Sequence, residues 1–271
     1  MTSNIPLLLE PEALQEIIGE ESLLIVDLSP NEHYNSFHIP DAVSLEYSEI
    51  VASQAPVMGL LPDAEHLNIT LSKIGLTKDH HVVAYDNENS GKASRLLWTL
   101  DSIGHPHFSL LNGGLTAWNS LGLPTNNQNV SSQTTEYQTV IKDDCIANKD
   151  YILNHLDNPK VILLDTRTAG EYAGEVVRAA RGGHIPGAIN VNWTDAIDME
   201  NNLKLKPENV LHKLYESAGV TPDKEIITYC QTHHRSAHSY IVLKSLGYTN
   251  IKGYHGAWSE WGNDANTPIE T

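Results

Sequence analysis

The stretch LLIVDLSPNEHY, residues 23–34, returns later in the chain as VILLDTRTAGEY, residues 161–172. Each stretch begins with a continuous apolar run that ends in an aspartate, which is Asp27 in the first copy and Asp165 in the second. A continuous apolar run of this length is typical of a strand that is buried on both faces of a parallel sheet. The two stretches therefore predict the same buried strand, built twice.

Three further pairs of segments follow in the same order. HIPDA (38–42) matches HIPGA (184–188), VVAYD (82–86) matches IITYC (226–230), and NGGLTAW (112–118) matches HGAWSEW (255–261). The four pairs are separated by 138, 146, 144 and 143 residues, and an eight-residue insertion around 176–183 explains the step from 138 to 146. A period this long does not fit a solenoid, so it predicts two copies of one domain.

A polar stretch joins the two copies. Residues 124–133 are rich in Asn, Gln, Ser and Thr, as is typical of a linker. We predict an N-terminal domain over residues 1–125, a linker over 126–144 and a C-terminal domain over 145–271. Within each copy, short apolar runs alternate with helical patterns. This alternation predicts an α/β fold in which each domain has a mainly parallel sheet with helices on both faces.

Composition excludes several classes of protein. The 271 residues are 40% hydrophobic and carry a formal charge of -17. Two cysteines, Cys145 and Cys230, cannot build a disulfide scaffold or a four-cysteine zinc site. No apolar run approaches the ~18 residues of a membrane span, and the acidic balance argues against nucleic acid and anionic membranes as partners. No basic region precedes the N-terminal leucines, so we expect a cytoplasmic protein without a secretory signal.

The charge is unevenly distributed between the two copies. Residues 1–130 hold 4 Lys and Arg against 16 Asp and Glu, whereas residues 131–271 hold 13 against 18. If the protein binds an anion, the second copy is the better candidate.

The segment IITYCQTHHRS, residues 226–236, carries the clearest chemical pattern. A buried strand ends, a six-residue loop follows and a helix begins, which is where ligands bind in open parallel sheets. The amides at a helix N-terminus favour an anion and lower a cysteine pKa to roughly 3.5–7.5. The thiolate is a nucleophile, and a guanidinium can hold an anionic substrate. We therefore predict Cys230 as the catalytic residue and the rest of the loop as substrate-binding: Gln231, Thr232, His233, His234 and Arg235.

The corresponding loop of the first copy has different chemistry. Asp86 stands where the second copy has Cys230, and the acidic sequence NENSG follows it. This loop lacks both the thiol and the arginine, so we predict that the first copy is catalytically inactive. A lone cysteine at a strand end is more often a small buried hydrophobe. The polar residues after Cys230 and the arginine that closes the loop favour the catalytic interpretation.

These motifs resemble the tandem-domain rhodaneses, which are sulfurtransferases, over essentially the whole chain. The resemblance rests on HIPDA and HIPGA, on the strand, cysteine loop and helix at 226–246, and on GYHGAW (253–258) with Trp261. The loop CQTHHR is similar to that of bacterial thiosulfate sulfurtransferases. The resemblance implies two rhodanese folds, of which only the C-terminal one is catalytic. It also implies that Cys230 carries a persulfide between two half-reactions, with no metal and no organic cofactor.

The resemblance further implies a small-molecule sulfur donor such as thiosulfate, and an acceptor such as cyanide or a thiol. A protein thiol is a further candidate acceptor. We expect a monomer, because the internal duplication already supplies an interface between two domains. Arg178 and Arg181, inside the insertion, are candidates for positive charge at the rim of the site, with solvated surface arginines as the alternative.

Three other functions stay open from the sequence. The first is a mercaptopyruvate sulfurtransferase. In that group the corresponding loop resembles CGSGVT, and this chain lacks the Gly-Ser pair. Cell-cycle phosphatases of the same fold have five residues between cysteine and arginine, where this chain has four. A binding module with an inert thiol is the third.

His233, His234 and His238 do not have a standard zinc spacing, so we predict no metal site.

Overall fold

The computed structural model describes residues 5–130 and 132–271. The strands of the described residues are β1 (Leu8–Leu9), β2 (Leu23–Asp27), β3 (Val43–Ser44), β4 (Ala52–Gln54), β5 (Val57–Leu60), β6 (His81–Tyr85), β7 (Phe108–Leu111), β8 (Ile146–Ala147), β9 (Val161–Asp165), β10 (Ile189–Asn190), β11 (Ile197–Asp198), β12 (Lys204–Leu205), β13 (Glu225–Tyr229) and β14 (Ile251–Tyr254).

The α-helices of the same residues are α1 (Pro11–Ile17), α2 (Asn31–Ser36), α3 (Ala64–Lys73), α4 (Gly91–Ser102), α5 (Gly114–Ser120), α6 (Lys149–Leu153), α7 (Ala169–Tyr172), α8 (Glu208–Ser217), α9 (Arg235–Ser245) and α10 (Ala257–Trp261). Within the described ranges, none of the helices combines the length and the hydropathy that a membrane-spanning helix needs.

The chain forms two compact units, each built around a five-stranded sheet. The sheet of unit 1 has the order β1-β7-β6-β2-β3, and the sheet of unit 2 has the order β8-β14-β13-β9-β10. Every pairing within these sheets is parallel. Read in these directions the two orders are equivalent, strand for strand. The predicted α/β fold with two parallel sheets flanked by helices is confirmed.

The repeated strands are buried because helices flank the sheets. In β2 and in β9 every residue after the first is buried, which explains their continuous apolar runs. The same register joins Asp27 to Tyr85 in unit 1 and Asp165 to Tyr229 in unit 2. Residues 86 and 230, which follow Tyr85 and Tyr229, therefore leave the two sheets at equivalent points.

Matching tryptophans close the two cores. Trp118 and Trp261 are both fully buried, and each indole N–H donates to a proline carbonyl beyond the end of its helix. The acceptors are Pro124, at 2.8 Å, and Pro268, at 2.7 Å. A buried indole must place its single donor on an acceptor, and both copies solve this requirement in the same way.

The histidines of the HIPDA and HIPGA segments also have equivalent places. His38 stacks on Tyr34 with ring centroids 3.9 Å apart, and His184 stacks on Tyr172 at 3.6 Å. Each imidazole Nδ1 lies within hydrogen-bond distance of the carbonyl of the tyrosine on which it stacks. These contacts tie the segment before β3 and β10 to the preceding helix. The histidines are structural in both units.

Each unit is assembled from non-contiguous stretches. Unit 1 comprises the chain through Ile50 together with Pro62–Ile141 and Asp198–Leu205, and unit 2 comprises Val51–Leu61, Lys142–Ile197 and Lys206–Thr271. The predicted division into 1–125, 126–144 and 145–271 is contiguous and does not include this exchange. The β4–β5 hairpin lies within Val51–Leu61 and is part of unit 2, where the backbone N–H of Met58 donates to Ser259 and that of Leu61, just after β5, donates to His255.

Candidate active site

The predicted catalytic loop lies at the carboxyl end of the middle strand of unit 2. β13 ends at Tyr229 and has β9 on one side and β14 on the other. Cys230 follows, and α9 begins at Arg235. The loop therefore lies between a parallel sheet edge and a helix N-terminus, where unpaired N–H groups accumulate.

Cys230 is fully buried among polar contacts. The hydroxyl of Ser236 donates to its Sγ atom at 3.4 Å. Its carbonyl accepts the N–H of Trp258 at 2.9 Å, which fixes the start of the loop against α10. In unit 1 the carbonyl of Asp86 accepts the N–H of Leu115 in the same way.

The pKa of the Cys230 thiol is lowered despite this burial. Burial by itself raises the pKa, because a charged sulfur loses its hydration. The positive charge of Arg235, the hydroxyl of Ser236 and the backbone N–H groups of Ser236 and Thr232 act in the opposite direction and outweigh it. The site therefore favours the thiolate, which is the nucleophilic form of cysteine.

Arg235 links the thiol to a buried carboxylate. Its two terminal nitrogens donate to the two oxygens of Glu171 at 2.7 and 2.9 Å, and it also hydrogen-bonds Cys230. Glu171 is 2% exposed. Burial raises the pKa of Glu171, but the bond to Arg235 and its charge lower it to about 2. The carboxylate is therefore ionised and holds the guanidinium fork in one orientation.

Local sequence positions Glu171. It is the third residue of α7, where its side chain receives the N–H and the hydroxyl of Thr168, while Thr168 receives the N–H of Glu171. This capping box is readable from the sequence as Thr-x-x-Glu. Its partnership with Arg235, 64 residues away, is not readable from the sequence. Glu171 is therefore a residue of the site that the sequence did not predict.

The remaining predicted loop residues occupy different environments. Gln231 is partly exposed and donates from its amide to the carbonyl of Arg178 at 3.1 Å. Thr232 and His234 are partly exposed, and the ring of His234 lies 6.3 Å from that of Trp193. His233 is fully buried, with its Nδ1 2.8 Å from the hydroxyl of Ser236. Direct substrate contact by Gln231, Thr232 and His234 stays a prediction, whereas the His233 side chain lies beneath the loop.

The two arginines of the insertion have separate environments. Arg178 is 62% exposed, with its Nε 3.2 Å from Glu171. The guanidinium of Arg181 donates instead to carbonyls of Trp261, Asp264 and Thr267. Arg181 therefore ties the insertion to the C-terminal segment. Arg178, by contrast, has its guanidinium exposed at the protein surface.

The β4–β5 hairpin packs against the catalytic loop within unit 2. Met58 exchanges two hydrogen bonds with the hydroxyl of Ser259, and the backbone of Ser259 in turn donates to the carbonyl of Gln231 at 3.0 Å. Gly59 lies directly against the carbonyl of Thr232 and has φ +80°. A Cβ atom at position 59 would overlap that carbonyl oxygen, so the close approach requires glycine.

We expect Gly59→Ala to destabilise the protein by about 1–3 kcal/mol and to speed alkylation of Cys230. The added methyl group forces the hairpin away from the loop and opens a path to the thiol. Gly187→Ala is the matched control, because Gly187 has a similar φ of +73° but no atom lies within 4 Å of the place that its methyl group would take. It should lose stability without faster alkylation by iodoacetamide. Equal alkylation rates in both variants would contradict a covering role for the hairpin.

In the equivalent loop of unit 1, the backbone N–H groups donate to the side chain of Asp86. Asp86 is buried, and its two carboxylate oxygens accept the backbone N–H groups of Glu88, Ser90, Lys92 and Ala93 at 2.9–3.1 Å. The amides at the start of α4 therefore surround an anion, but the anion is the carboxylate of the protein itself. The first loop retains the amide cradle and lacks the thiol.

No group of three or more His, Cys, Asp or Glu side chains in the described ranges is placed to hold a metal ion. His238 packs edge-on against Trp193, with ring centroids 5.3 Å apart. Burial lowers the pKa of His238 to about 3, with a smaller contribution from His234. His238 is therefore neutral at physiological pH and adds no positive charge beside the thiol.

Comparison with known proteins gives consistent matches. The model of the rhodanese-like domain family matches residues 10–121 and 148–264. A thiosulfate sulfurtransferase of Azotobacter vinelandii is 40% identical over 268 residues, which cover 99% of this chain and 98% of that protein. The sulfur carrier protein TtuD of Thermus thermophilus is 34% identical, covering 87% and 86%. The structure of SseA from Escherichia coli, a 3-mercaptopyruvate sulfotransferase, superposes with a TM-score of 0.85 at 27% identity, covering 93% and 99%.

Proposed function

The chain belongs to the rhodanese-like domain family, and from that premise we propose that it is a thiosulfate sulfurtransferase that carries sulfur on Cys230. The observation that carries the proposal is the environment of the thiol. Arg235, Ser236 and backbone amides hold its pKa below the ordinary value at the end of the middle strand, although the residue is fully buried. The relatives named for this activity supply the substrate class.

In the first half-reaction, the Cys230 thiolate attacks the outer sulfur of thiosulfate. A bond forms between Sγ and that sulfur, the bond between the two sulfurs of thiosulfate breaks, and sulfite leaves with the bonding electron pair. The product is a persulfide anion on Cys230, so the total charge is unchanged. Backbone N–H groups of the loop and the guanidinium of Arg235 offer donors to the terminal sulfur.

In the second half-reaction, a nucleophilic acceptor attacks the terminal sulfur of the persulfide. With cyanide, a carbon–sulfur bond forms, the sulfur–sulfur bond breaks and its electron pair returns to Sγ, which regenerates the thiolate and releases thiocyanate. Because the enzyme holds the sulfur covalently between the steps, the kinetics should be ping-pong. The Cys230 thiolate is the leaving group of this step, and a thiolate whose thiol has a low pKa leaves faster.

Arg178 supports recruitment of an anionic donor. Its guanidinium is 62% exposed while its backbone carbonyl contacts Gln231 of the loop. An exposed cation at this rim attracts thiosulfate toward a chain whose overall charge is -17. The largely buried Glu171–Arg235 pair behind it keeps the loop arginine aimed at the sulfur.

We assign catalysis to unit 2 alone. The carboxylate of Asp86 already accepts four amide hydrogen bonds in the loop of unit 1, so an incoming anion finds its donors occupied. The aspartate also offers no sulfur nucleophile. Unit 1 is then a catalytically inactive copy that retains the fold.

The chemistry proposed for Cys230 requires a reduced thiol. Both cysteines, Cys145 and Cys230, are free, and a persulfide carrier works in a reducing compartment, which supports a cytoplasmic location. A small-molecule donor and a small-molecule acceptor complete the reaction. A protein thiol is a second class of acceptor, in keeping with the sulfur carrier relative. We also propose that the working unit is a monomer, because one chain already carries two copies of the domain.

The second candidate function is sulfur transfer from 3-mercaptopyruvate. It is favoured by the structural similarity to SseA, whose sequence is 27% identical. The two candidates share the persulfide on Cys230 and differ in the donor, so a comparison of donors separates them.

We expect faster thiocyanate formation from thiosulfate than from 3-mercaptopyruvate when the two donors are compared with cyanide as acceptor. Double-reciprocal plots should be parallel, and thiosulfate alone should add one sulfur atom to the peptide that contains Cys230, as seen by mass spectrometry. Cys145→Ser is the control that should behave like the wild type. Hydrolysis of para-nitrophenyl phosphate without any sulfur transfer would contradict the proposal and favour a phosphatase.

A further inference from the structure

The buried side chains of His233, Ser236 and Cys230 form a line of two consecutive hydrogen bonds under the catalytic loop. The Nδ1 atom of His233 lies 2.8 Å from the Oγ atom of Ser236, and that Oγ lies 3.4 Å from the Sγ atom of Cys230. All three residues are fully buried. We propose that His233 and Ser236 are positioning residues, in which His233 acts through Ser236 to aim a hydroxyl proton at the sulfur of Cys230. The inference rests on the proposed function of that sulfur.

Counting protons fixes the direction of the line. The hydroxyl of Ser236 has one proton, so when it donates to sulfur its oxygen is left to accept. For this oxygen to accept, His233 must carry its ring proton on Nδ1, the atom that lies 2.8 Å from it. The two hydrogen bonds then run head to tail toward Cys230, and each polarises the next. Such a line stabilises a charged sulfur more than a neutral thiol, because a hydrogen bond to the charged form favours ionisation.

The backbone conformation explains how His233 reaches this position. Its φ is +52°, in the left-handed region that few side chains adopt. This turn places the imidazole below the loop rather than at its rim. Ser236 lies in the first turn of α9, so both its backbone N–H and its hydroxyl are directed to Cys230. A residue of the loop and a residue of the helix thus converge on one sulfur.

Other charged groups near the sulfur set the background for this effect. Arg235 supplies positive charge from α9, and Glu171 of α7 holds that arginine. The β4–β5 hairpin contributes Gly59 and no ionisable side chain at its contact with Thr232, and α10 contributes the N–H of Trp258 to the Cys230 carbonyl. Because Arg235 stays in place, removing the hydroxyl should weaken ionisation without abolishing it.

The pH profile of Cys230 alkylation tests the inference in a Cys145→Ser background, where Cys230 is the only thiol. Ser236→Ala should move the midpoint of the iodoacetamide profile up by roughly one pH unit, which is about a tenfold loss of thiolate at pH values below the midpoint. Sulfur transfer should fall by a similar factor near neutral pH and recover in alkaline solution. A merely structural role would lower activity at every pH.

Two replacements of His233 separate the hydrogen bond from the backbone. His233→Asn keeps an N–H donor and tolerates a positive φ, whereas His233→Gly tolerates the same φ without any side chain. The glycine variant should show a raised midpoint, and the asparagine variant should restore most of the wild-type profile. An unshifted profile in folded Ser236→Ala, or equal shifts in the two His233 variants, would overturn the inference. Alkylation needs no sulfur donor, so this outcome is independent of whether thiosulfate is the substrate.

Discussion

Replacement of Cys230 by serine should lower sulfur transfer by about 10⁴-fold or more while the fold is retained. A serine hydroxyl is not ionised at neutral pH and its oxygen does not form the persulfide on which both half-reactions depend. The side chain of Ser236 gives the new hydroxyl a hydrogen-bond partner where the sulfur was, so the substitution leaves no buried polar group unsatisfied. We therefore expect a small change in melting temperature.

Thiocyanate formation, mass spectrometry after treatment with thiosulfate, and thermal unfolding together check this expectation. Cys145→Ser removes the other buried cysteine and should leave all three measurements close to those of the wild type. Sulfur transfer by Cys230→Ser at a rate comparable to the wild type would remove Cys230 from the mechanism, whatever the pKa of its thiol.

Replacement of Arg235 by alanine should be the most destabilising change in the site. Glu171 is 2% exposed and loses both of its hydrogen bonds to the Arg235 guanidinium. The buried carboxylate then keeps only the two hydrogen bonds from Thr168 among those described, and its remaining positive neighbours are exposed Arg178 and the more distant Arg167. Breaking a buried pair costs about 3–5 kcal/mol, and we expect the lower end of that range because Arg235 is 20% exposed. Loss of its charge beside the thiolate should also lower sulfur transfer, by about 10²-fold.

The cost of Arg235→Ala should depend on pH. The pKa of Glu171 is about 2 in the folded protein, below its ordinary value of 4.5, so the stabilisation by the pair is fully present above 4.5 and is lost as the pH falls toward 2. Urea unfolding should therefore show a large difference between wild type and variant at neutral pH and a smaller one in acid. A difference that does not change with pH would place the loss elsewhere than at Glu171.

A second substitution separates stability from activity at this pair. Adding Glu171→Gln to Arg235→Ala removes the unpaired charge, because a glutamine is neutral and needs less hydration. The double variant should recover much of the lost stability and none of the lost sulfur transfer. Recovery of both properties would show that Arg235 acts only by supporting the fold.

The duplicated fold was readable from the sequence because its signals are local. An apolar run of five residues predicts a buried strand wherever it occurs, and the ordered repeats placed β2 and β9, and then β6 and β13, at equivalent points. The order of the strands within each sheet was not predicted, because it depends on which strands pair in the folded protein. The exchange of Val51–Leu61 into unit 2 leaves no local signal, because it depends on the contacts of Met58 with Ser259.

The candidate site was predictable only in part. A cysteine between a buried strand and a helix is a pattern within a dozen residues, so Cys230 and Arg235 could be named from it. Glu171 and Gly59 were not named, because neither lies near the loop in the chain. His233 was grouped with the substrate-binding residues, and the left-handed backbone that buries its side chain is not encoded by any motif in the loop.

The amino-acid sequence by itself therefore determined the two copies, the parallel α/β sheets and the cysteine loop between a buried strand and a helix. These follow from hydrogen bonding and burial that repeat along a short stretch of chain. Only the tertiary structure decided which groups control the sulfur: Glu171 behind Arg235, the line from His233 through Ser236, and Gly59 over Thr232. Except for the short loop line, these contacts join residues that are distant in sequence. Their geometry is fixed only when the sheet brings separate strand ends and loops together.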